Sequence, residues 1–293
     1  MRLLITGWQG QLAQALVARS VRLADVEACA VGRPALDLCS LPTIERAMTE
    51  VRPTLVINAA AYTAVDAAET DEAAAHALNA DGAGLIARAA AQRGVPIVHI
   101  STDYVYDGAK ATPYVETDAT NPLNAYGRSK LAGERAVAGA NPDHIILRTC
   151  WVYSATGKNF VKTMLRLAAD RPEVAVVDDQ IGCPTFAPHL ADAILELARG
   201  LQQSGGAGRW GIYHAAGSGA TSWCGFSRAI FDEVGARGGK APSVKALTTA
   251  QYPTPARRPA NSRLDCSKLF ANFGIRQPEW RAGLKACLTE LAA

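Results

Sequence analysis

A short aliphatic run at the start of the chain, Arg2–Thr6, passes without a break into Gly7-Trp8-Gln9-Gly10-Gln11-Leu12-Ala13. This join limits the fold more than any other feature. Glycines at the end of a strand permit a tight turn into a helix. They also let backbone N–H groups approach an anion at the positive end of that helix. Ala13 is small enough to keep helix and strand close, where a third glycine often stands. An ordinary strand–helix turn can carry the same glycines, so only context makes this one a dinucleotide cradle.

The context is regular. Candidate strands at Arg2–Thr6, Glu27–Val31, Leu55–Asn58, Ile97–Ser101 and Ile145–Thr149 alternate with helical patterns at Gln11–Arg19, Pro42–Val51, Asp71–Arg93 and Ala125–Ala138. Such alternation with short connections predicts an α/β fold, a doubly wound parallel sheet of the Rossmann type. Residues 1–149 read as the dinucleotide-binding domain. Residues 150–293, where the pattern loosens, read as a smaller mixed α/β domain that mainly binds substrate and whose strands can rejoin the first sheet. Helical patterns there cover Asn159–Ala169, Leu190–Arg199, Ser222–Val234 and Pro278–Leu291. Gln202–Arg209 reads as a flexible polar loop, and Tyr252–Arg263, with three Pro and three Arg, as an ordered one.

Composition narrows the function. Of 293 residues, 49% are hydrophobic and 19% charged, enough for a large core and too apolar for a disordered chain. The net charge of +3 comes without a sustained basic run, which gives nucleic acid no support as a partner. No apolar stretch is long enough to span a membrane, and the N-terminal one is too short for a signal peptide, so a cytoplasmic location is expected. The seven cysteines include no Cys-x-x-Cys pair and read as buried, reduced thiols. The five histidines, His76, His99, His144, His189 and His214, lack ligand spacing and read as structural. Ser101 and Ser154 lack a nucleophile-elbow context, which leaves a hydrolase unsupported.

Chemistry enters at two segments. The fourth strand ends Ser101-Thr102-Asp103-Tyr104, and Tyr126 and Lys130 follow four residues apart on a helical pattern, hence on one face. A lone Tyr-x-x-x-Lys is a common accident. Here it follows a glycine turn and a hydroxyl at a strand's C-terminal end, where open α/β sheets bind ligands. Reducing a ketone with a nicotinamide requires a hydride and then a proton. Tyr126 is expected to donate the proton, Lys130 to acidify the phenol and hold the nicotinamide ribose, and Thr102 to orient the substrate oxygen. Arg33, after the second strand, suits the 2′-phosphate of NADPH, or is a solvated surface arginine.

The glycine turn, STDYVYDG at 101–108, ETDATNPLNAYGRSKLAGE at 116–134, RTCWVY at 148–153 and YPTPARRPANSRL at 252–264 resemble the dTDP-4-dehydrorhamnose reductase family. Its members are extended short-chain dehydrogenase/reductases that act last in dTDP-L-rhamnose synthesis. The resemblance implies NADPH or NADH held by Gly7, Gly10, Gln11, Leu12, Asp37, Leu38, Ala61, Tyr62 and Thr63, with Tyr126, Lys130 and Thr102 catalytic. It implies a dTDP-sugar against Thr102, Asp103, Tyr104, Trp151, Arg258 and Asn261. Trp151 also fits a core position, and Arg257 reads as solvent-facing. Some relatives form Mg²⁺-linked dimers. No dense carboxylate cluster accompanies Glu290 here, so no metal ligand is named, and a monomer or homodimer is expected. Sugar-nucleotide dehydratases place Glu after the Asp that follows the catalytic Thr; Tyr104 stands there instead, which favours plain ketone reduction. A reductase of another nucleotide 4-ketosugar and a non-catalytic regulatory subunit of the same fold are the competing readings.

Overall fold

The computed structural model describes residues 1–204 and 208–292. The first half runs β1 (Arg2–Thr6), α1 (Gln11–Ser20), β2 (Glu27–Val31), α2 (Leu41–Val51) and β3 (Leu55–Asn58). Helices α3 (Glu72–His76) and α4 (Gly82–Ala91) lead to β4 (Ile97–Thr102), and α5 (Ala125–Ala140) leads to β5 (His144–Thr149). There follow β6 (Val152–Tyr153), α6 (Phe160–Asp170), β7 (Glu173–Val177), β8 (Ile181–Gly182), β9 (Thr185–Phe186) and α7 (Ala187–Ser204). The chain closes with β10 (Gly211–His214), β11 (Thr221–Ser222), α8 (Trp223–Ala236), β12 (Ser243–Leu247), α9 (Ser267–Phe273) and α10 (Trp280–Ala292).

Six parallel strands form the central sheet in the order β10-β5-β4-β3-β1-β2. The chain winds from β1 out to β2, then crosses to β3 on the other side of β1. That reversal opens a crevice at the C-terminal ends of β1 and β3, where α/β sheets take their ligands. Alternation along β1 sends Leu3 and Ile5 into a core shared with α1 and α7, and Leu4 into the opposite core with Ile44 and Ile86. The second half returns to this sheet through β10, paired with β5, and through α7, packed on α1. A separate core of Met164, Phe226, Phe231, Trp280 and Leu284 joins α6, α8 and α10.

The expected single helix over Asp71–Arg93 is interrupted. α3 and α4 flank a π-helical turn, Ala77–Asp81, that carries the fully buried Asn79. The Asn79 amide accepts from the Tyr62 N–H at 2.7 Å and donates to the Tyr62 carbonyl at 3.1 Å and to Ser129 Oγ at 2.9 Å. Three hydrogen bonds to buried or half-buried partners offset the loss of regular helix there. The polar segment from Gln202 begins differently from expectation, since α7 runs on to Ser204. Residues 205–207 of that predicted loop lie outside the described residues. Strands β6, β8, β9 and β11 have two residues each, too few for any periodicity to announce them.

Helix α5 is held to the sheet by glycines and by charge. A Cβ on Gly127 would lie 2.3 Å from the Tyr104 carbonyl oxygen, and one on Gly133 would lie 2.0 Å from the Asn79 carbonyl oxygen. Glu134 forms a two-pronged ion pair with Arg148 of β5, at 2.9 and 2.6 Å, with both side chains 3% exposed. Removing one partner strands a buried charge, so Glu134→Gln is expected to cost about 3–5 kcal/mol, read as the loss in urea unfolding free energy. A double Glu134→Leu, Arg148→Met variant should lose less than Glu134→Gln; a single-variant loss under about 1 kcal/mol would contradict the pair's role.

Candidate active site

The glycine turn sits at the crevice. Gly7 has φ +80°, and a Cβ there would lie 3.0 Å from the Ala60 Cα, so only glycine lets β1 turn this close to the end of β3. Gly10 N donates to the Gly7 carbonyl at 2.8 Å, and α1 starts with no acidic residue in its first turn and no side-chain cap. Among the described residues the first N–H groups of α1 have no side-chain cap, beside an exposed Gly10, which fits an anionic pyrophosphate.

The other expected cofactor residues divide. Arg33 is exposed at the end of β2, next to Gly32, on which the Trp8 indole packs so closely that a Cβ would clash. Asp37 is half-buried and accepts from the Cys39 N–H at 3.0 Å. Ala61 and Tyr62 are half-buried and Thr63 exposed along the rim beyond β3. Leu12 and Leu38, 8% and 2% exposed, send their side chains into the core, leaving their backbone for any ligand. The Gln11 amide oxygen accepts from Ser154 Oγ at 2.9 Å and Asn159 Nδ2 at 2.8 Å, which ties the turn to the start of α6.

The strand–turn–helix around β4 brings the three expected catalytic side chains together. Thr102 ends β4, and its hydroxyl accepts from the Tyr104 N–H at 3.1 Å and donates to Asp103 Oδ1 at 3.0 Å. Asn124 caps α5 by accepting from the Gly127 N–H at 2.7 Å, which starts the helix one residue before Tyr126. The Tyr126 phenol reaches the Thr102 hydroxyl and is pushed up to about 12, chiefly by burial. Its ring meets Tyr104 edge-on, with centroids 5.8 Å apart. Lys130 is 2% exposed and turned inward, donating to the Ile100 carbonyl at 2.6 Å, with His99 Nε2 at 3.3 Å from its nitrogen.

Burial sets the electrostatics of the chain's own residues here. The phenol is not acidified by the lysine in this arrangement: burial dominates the Tyr126 proton affinity, and the Lys130 nitrogen is engaged with β4. The same arrangement changes the reading of His99, which belongs to the site. Two polar residues at alternate positions of an otherwise apolar strand, His99 and Ser101, face Lys130 and Glu134 on α5. That alternation, opposite an i, i+4 pair of charges, is the signal available in the sequence.

The expected substrate residues are drawn together less evenly. Asp103, 3% exposed, is raised to about 6 by burial, against hydrogen bonds from Thr102, Ser262 and the Cys150 thiol. Arg258 forms an ion pair with Asp66 at 2.8 Å, donates to the Ala256 carbonyl at 3.1 Å and lies against the Tyr104 phenol. Asn261 differs from expectation. Its Nδ2 donates to the Lys110 and Thr112 carbonyls, at 2.6 and 2.9 Å, and its Oδ1 accepts from the Arg263 backbone and side chain, so the amide is spent on anchoring the loop. Trp151 is half-buried with φ +45°, stacked on Trp223 with centroids 3.4 Å apart and edged against Gly182. Arg257 is exposed. Thr149, opposite Thr102 in register, keeps a buried hydroxyl with no partner among the described residues.

Among the described residues no group of three His, Cys, Asp or Glu is placed to hold a metal, and no helix is long and apolar enough to cross a membrane. The carboxyl of Asp103 has a pH signature. Its native pKa lies above the ordinary 3.8, so folding takes up a proton between about pH 4 and 6 and its contribution to stability falls across that window. On going from pH 4 to pH 8 the stability difference should therefore move toward Asp103→Asn by about 2–3 kcal/mol. Urea unfolding at the two pH values reads it, and a pH-independent difference would contradict the raised carboxyl.

Comparison with known proteins shows the family. A family profile described as RmlD substrate binding domain matches residues 1–293. A dTDP-4-dehydrorhamnose reductase of Sinorhizobium fredii is 50% identical over 96% of this chain and 94% of its own length. One of Burkholderia thailandensis is 45% identical over 99% of both. The solved structure of the Bacillus anthracis dTDP-4-dehydrorhamnose reductase in complex with NADP superposes with a TM-score of 0.91, at 34% identity over 99% of each chain. A UDP-glucose 4-epimerase of Thermus thermophilus, with a TM-score of 0.82 at 22% identity and coverage of 100% and 99%, shares the fold. With its glycine turn, its Thr102–Tyr126–Lys130 site and its full-length match, the chain belongs to the RmlD substrate binding domain family of dTDP-4-dehydrorhamnose reductases.

Proposed function

We propose that this chain reduces the C4 ketone of dTDP-4-dehydro-L-rhamnose to dTDP-L-rhamnose with NADPH or NADH. The observation that carries the reading is the pair of hydroxyls, Thr102 and Tyr126, meeting at the C-terminal end of β4. The bound dinucleotide supplies hydride. The chain supplies the rest. Thr102, placed by the Tyr104 N–H, turns its hydroxyl hydrogen from Asp103 to the ketone oxygen, and Tyr126 gives that oxygen the phenolic proton once it has become an alkoxide. An alkoxide is a stronger base than a phenolate, so a phenol kept protonated by burial is loaded for donation at neutral pH. The phenolate is reprotonated from water.

Residues 1–149, with β10 and α7, form the cofactor unit in this reading, and the remainder of 150–293 covers the sugar nucleotide. Arg258 and Trp151 lie on that side. Tyr104 occupies the position where dehydratases carry a second acid, and no carboxylate replaces it there. The intact hydroxyl pair favours an enzyme over a regulatory subunit. We place the reaction in the cytoplasm, with the chain as a monomer or homodimer.

The test is NADPH oxidation with the dTDP 4-ketosugar made in situ by its dehydratase and epimerase. Tyr126→Phe should lower kcat by about 10²–10⁴-fold while the dissociation constant for NADPH stays within about threefold; an unchanged kcat would remove Tyr126 as the acid. Arg33→Ala should raise KM for NADPH by about tenfold, one charge-assisted hydrogen bond's worth, and KM for NADH hardly at all. Equal effects on both coenzymes would remove Arg33 from the 2′-phosphate.

A further inference from the structure

A continuous line of buried hydrogen bonds runs from the glycine turn to the catalytic lysine. The Ala60 N–H donates to Thr6 Oγ1 at 3.0 Å, and the Thr6 hydroxyl donates to Asn58 Oδ1 at 2.6 Å. Asn58 Nδ2 lies 3.0 Å from His99 Nδ1, and His99 Nε2 lies 3.3 Å from Lys130 Nζ. Lys130 Nζ then donates to the Ile100 carbonyl at 2.6 Å. Thr6, Asn58, His99 and Lys130 are each 2% exposed or less. Thr6 precedes Gly7 and Ala60 packs against it, so the first two members are walls of the glycine turn.

The line has a direction. A backbone N–H only donates, so the Thr6 oxygen accepts there and its single hydrogen goes to the Asn58 oxygen, its remaining partner among the described residues. That fixes the Asn58 amide with its nitrogen toward His99, and an amide nitrogen only donates. Turning the amide around would leave the Thr6 hydrogen facing another donor in the core, at a cost of about 1–3 kcal/mol. His99 Nδ1 is therefore an acceptor without a hydrogen, and a neutral imidazole keeps its one hydrogen on Nε2, facing Lys130. A lysine nitrogen can accept that hydrogen only as an uncharged amine.

We propose that His99 is a positioning residue for the reduction: with a polarity imposed by Thr6 and Asn58, it presents Nε2–H to Lys130, so that the line favours the uncharged amine over the ammonium. The proposal rests on the functional reading for the role of Lys130, but not for the state of the line. The groups facing Lys130 are His99 and the Ile100 carbonyl from β4 and Glu134 from α5, with Glu134 paired in turn to Arg148 of β5. Glu134 favours the ammonium, while burial outweighs it and brings Lys130 down to about 8. Burial beside Lys130 likewise holds His99 well below the usual imidazole range. Burial and the Nε2–H thus ease release of the Lys130 proton, and the glycine turn shares a hydrogen-bonded line with it.

The full ligand-free chain, labelled with ¹⁵N at histidine and lysine, tests this by NMR without any turnover. Long-range ¹H–¹⁵N spectra should show His99 as the neutral Nε2–H tautomer at pH 7, and a lysine titrating near pH 8 that is missing in Lys130→Met. Thr6→Val frees the Asn58 amide to turn, and His99→Gln offers Lys130 an oxygen. In each, the Lys130 midpoint should rise by about one unit, a tenfold change, with the Nδ1–H tautomer growing in for Thr6→Val. An Nδ1–H tautomer in the unmodified chain, a Lys130 midpoint above about 10, or midpoints unmoved in folded variants would overturn the proposal. The tautomer in the unmodified chain decides the matter even if a variant fails to fold. Because no substrate is present, it decides independently of which sugar is reduced.

Discussion

Backbone-to-backbone contact of helix α5 with the turn after β4 and with the π-helical turn between α3 and α4 sets the geometry of the site. Gly127 lies against the Tyr104 carbonyl and Gly133 against the Asn79 carbonyl, at distances no side chain would allow. Just before Gly127 the helix presents Tyr126 to Thr102, and between the two glycines it presents Lys130 to His99. Beyond them Glu134 closes on Arg148 of β5, and Arg148 passes on to Tyr106 at 2.7 Å, which meets His214 of β10 at 2.8 Å. The buried charge pair and the hydrogen bonds around it hold helix and sheet in one register. Chemistry that tolerates errors of well under an ångström needs that rigidity.

The same close packing decides the protonation states. Desolvation raises Tyr126 and Asp103 and lowers Lys130 and His99, so the interior next to Thr102 favours neutral groups. A neutral phenol is the right form for giving a proton to a newly formed alkoxide. An acidified phenol would help the reverse reaction, in which an alcohol must lose its proton. With its phenol protonated, the site is therefore arranged in the sense of reduction.

Much of this was legible in the sequence, for local reasons. The first five strands match their aliphatic runs within a residue or two, because β1, β3, β4 and β5 alternate between two buried faces and the edge strand β2 packs its alanines on the same core. The glycine turn and Thr102, Tyr126 and Lys130 announce themselves by spacing along single elements. What escaped depends on contacts between distant segments. The π turn at Ala77–Asp81 exists because Asn79 serves Tyr62 and Ser129, and nothing in an alanine-rich stretch reveals that. The diversion of Asn261 to the Lys110 and Thr112 carbonyls follows from how two loops cross. His99 passed as a core histidine since its partners come from β3 and α5, 41 and 31 residues away. The inward turn of Lys130 to the Ile100 carbonyl was not legible either, because helical spacing fixes a face but not where a long side chain ends.

The protonation of Tyr126 can be followed by itself. With tyrosine labelled at ¹³Cζ, the signal missing from Tyr126→Phe identifies the residue, and its shift is recorded from pH 6 upward in the ligand-free chain. A phenol governed by burial and by the Thr102 hydroxyl stays protonated to about pH 11, with its midpoint near 12. A phenolate growing in with a midpoint below about pH 9 would mean that a cation acidifies it after all, and the electrostatic picture of the site given above would be wrong.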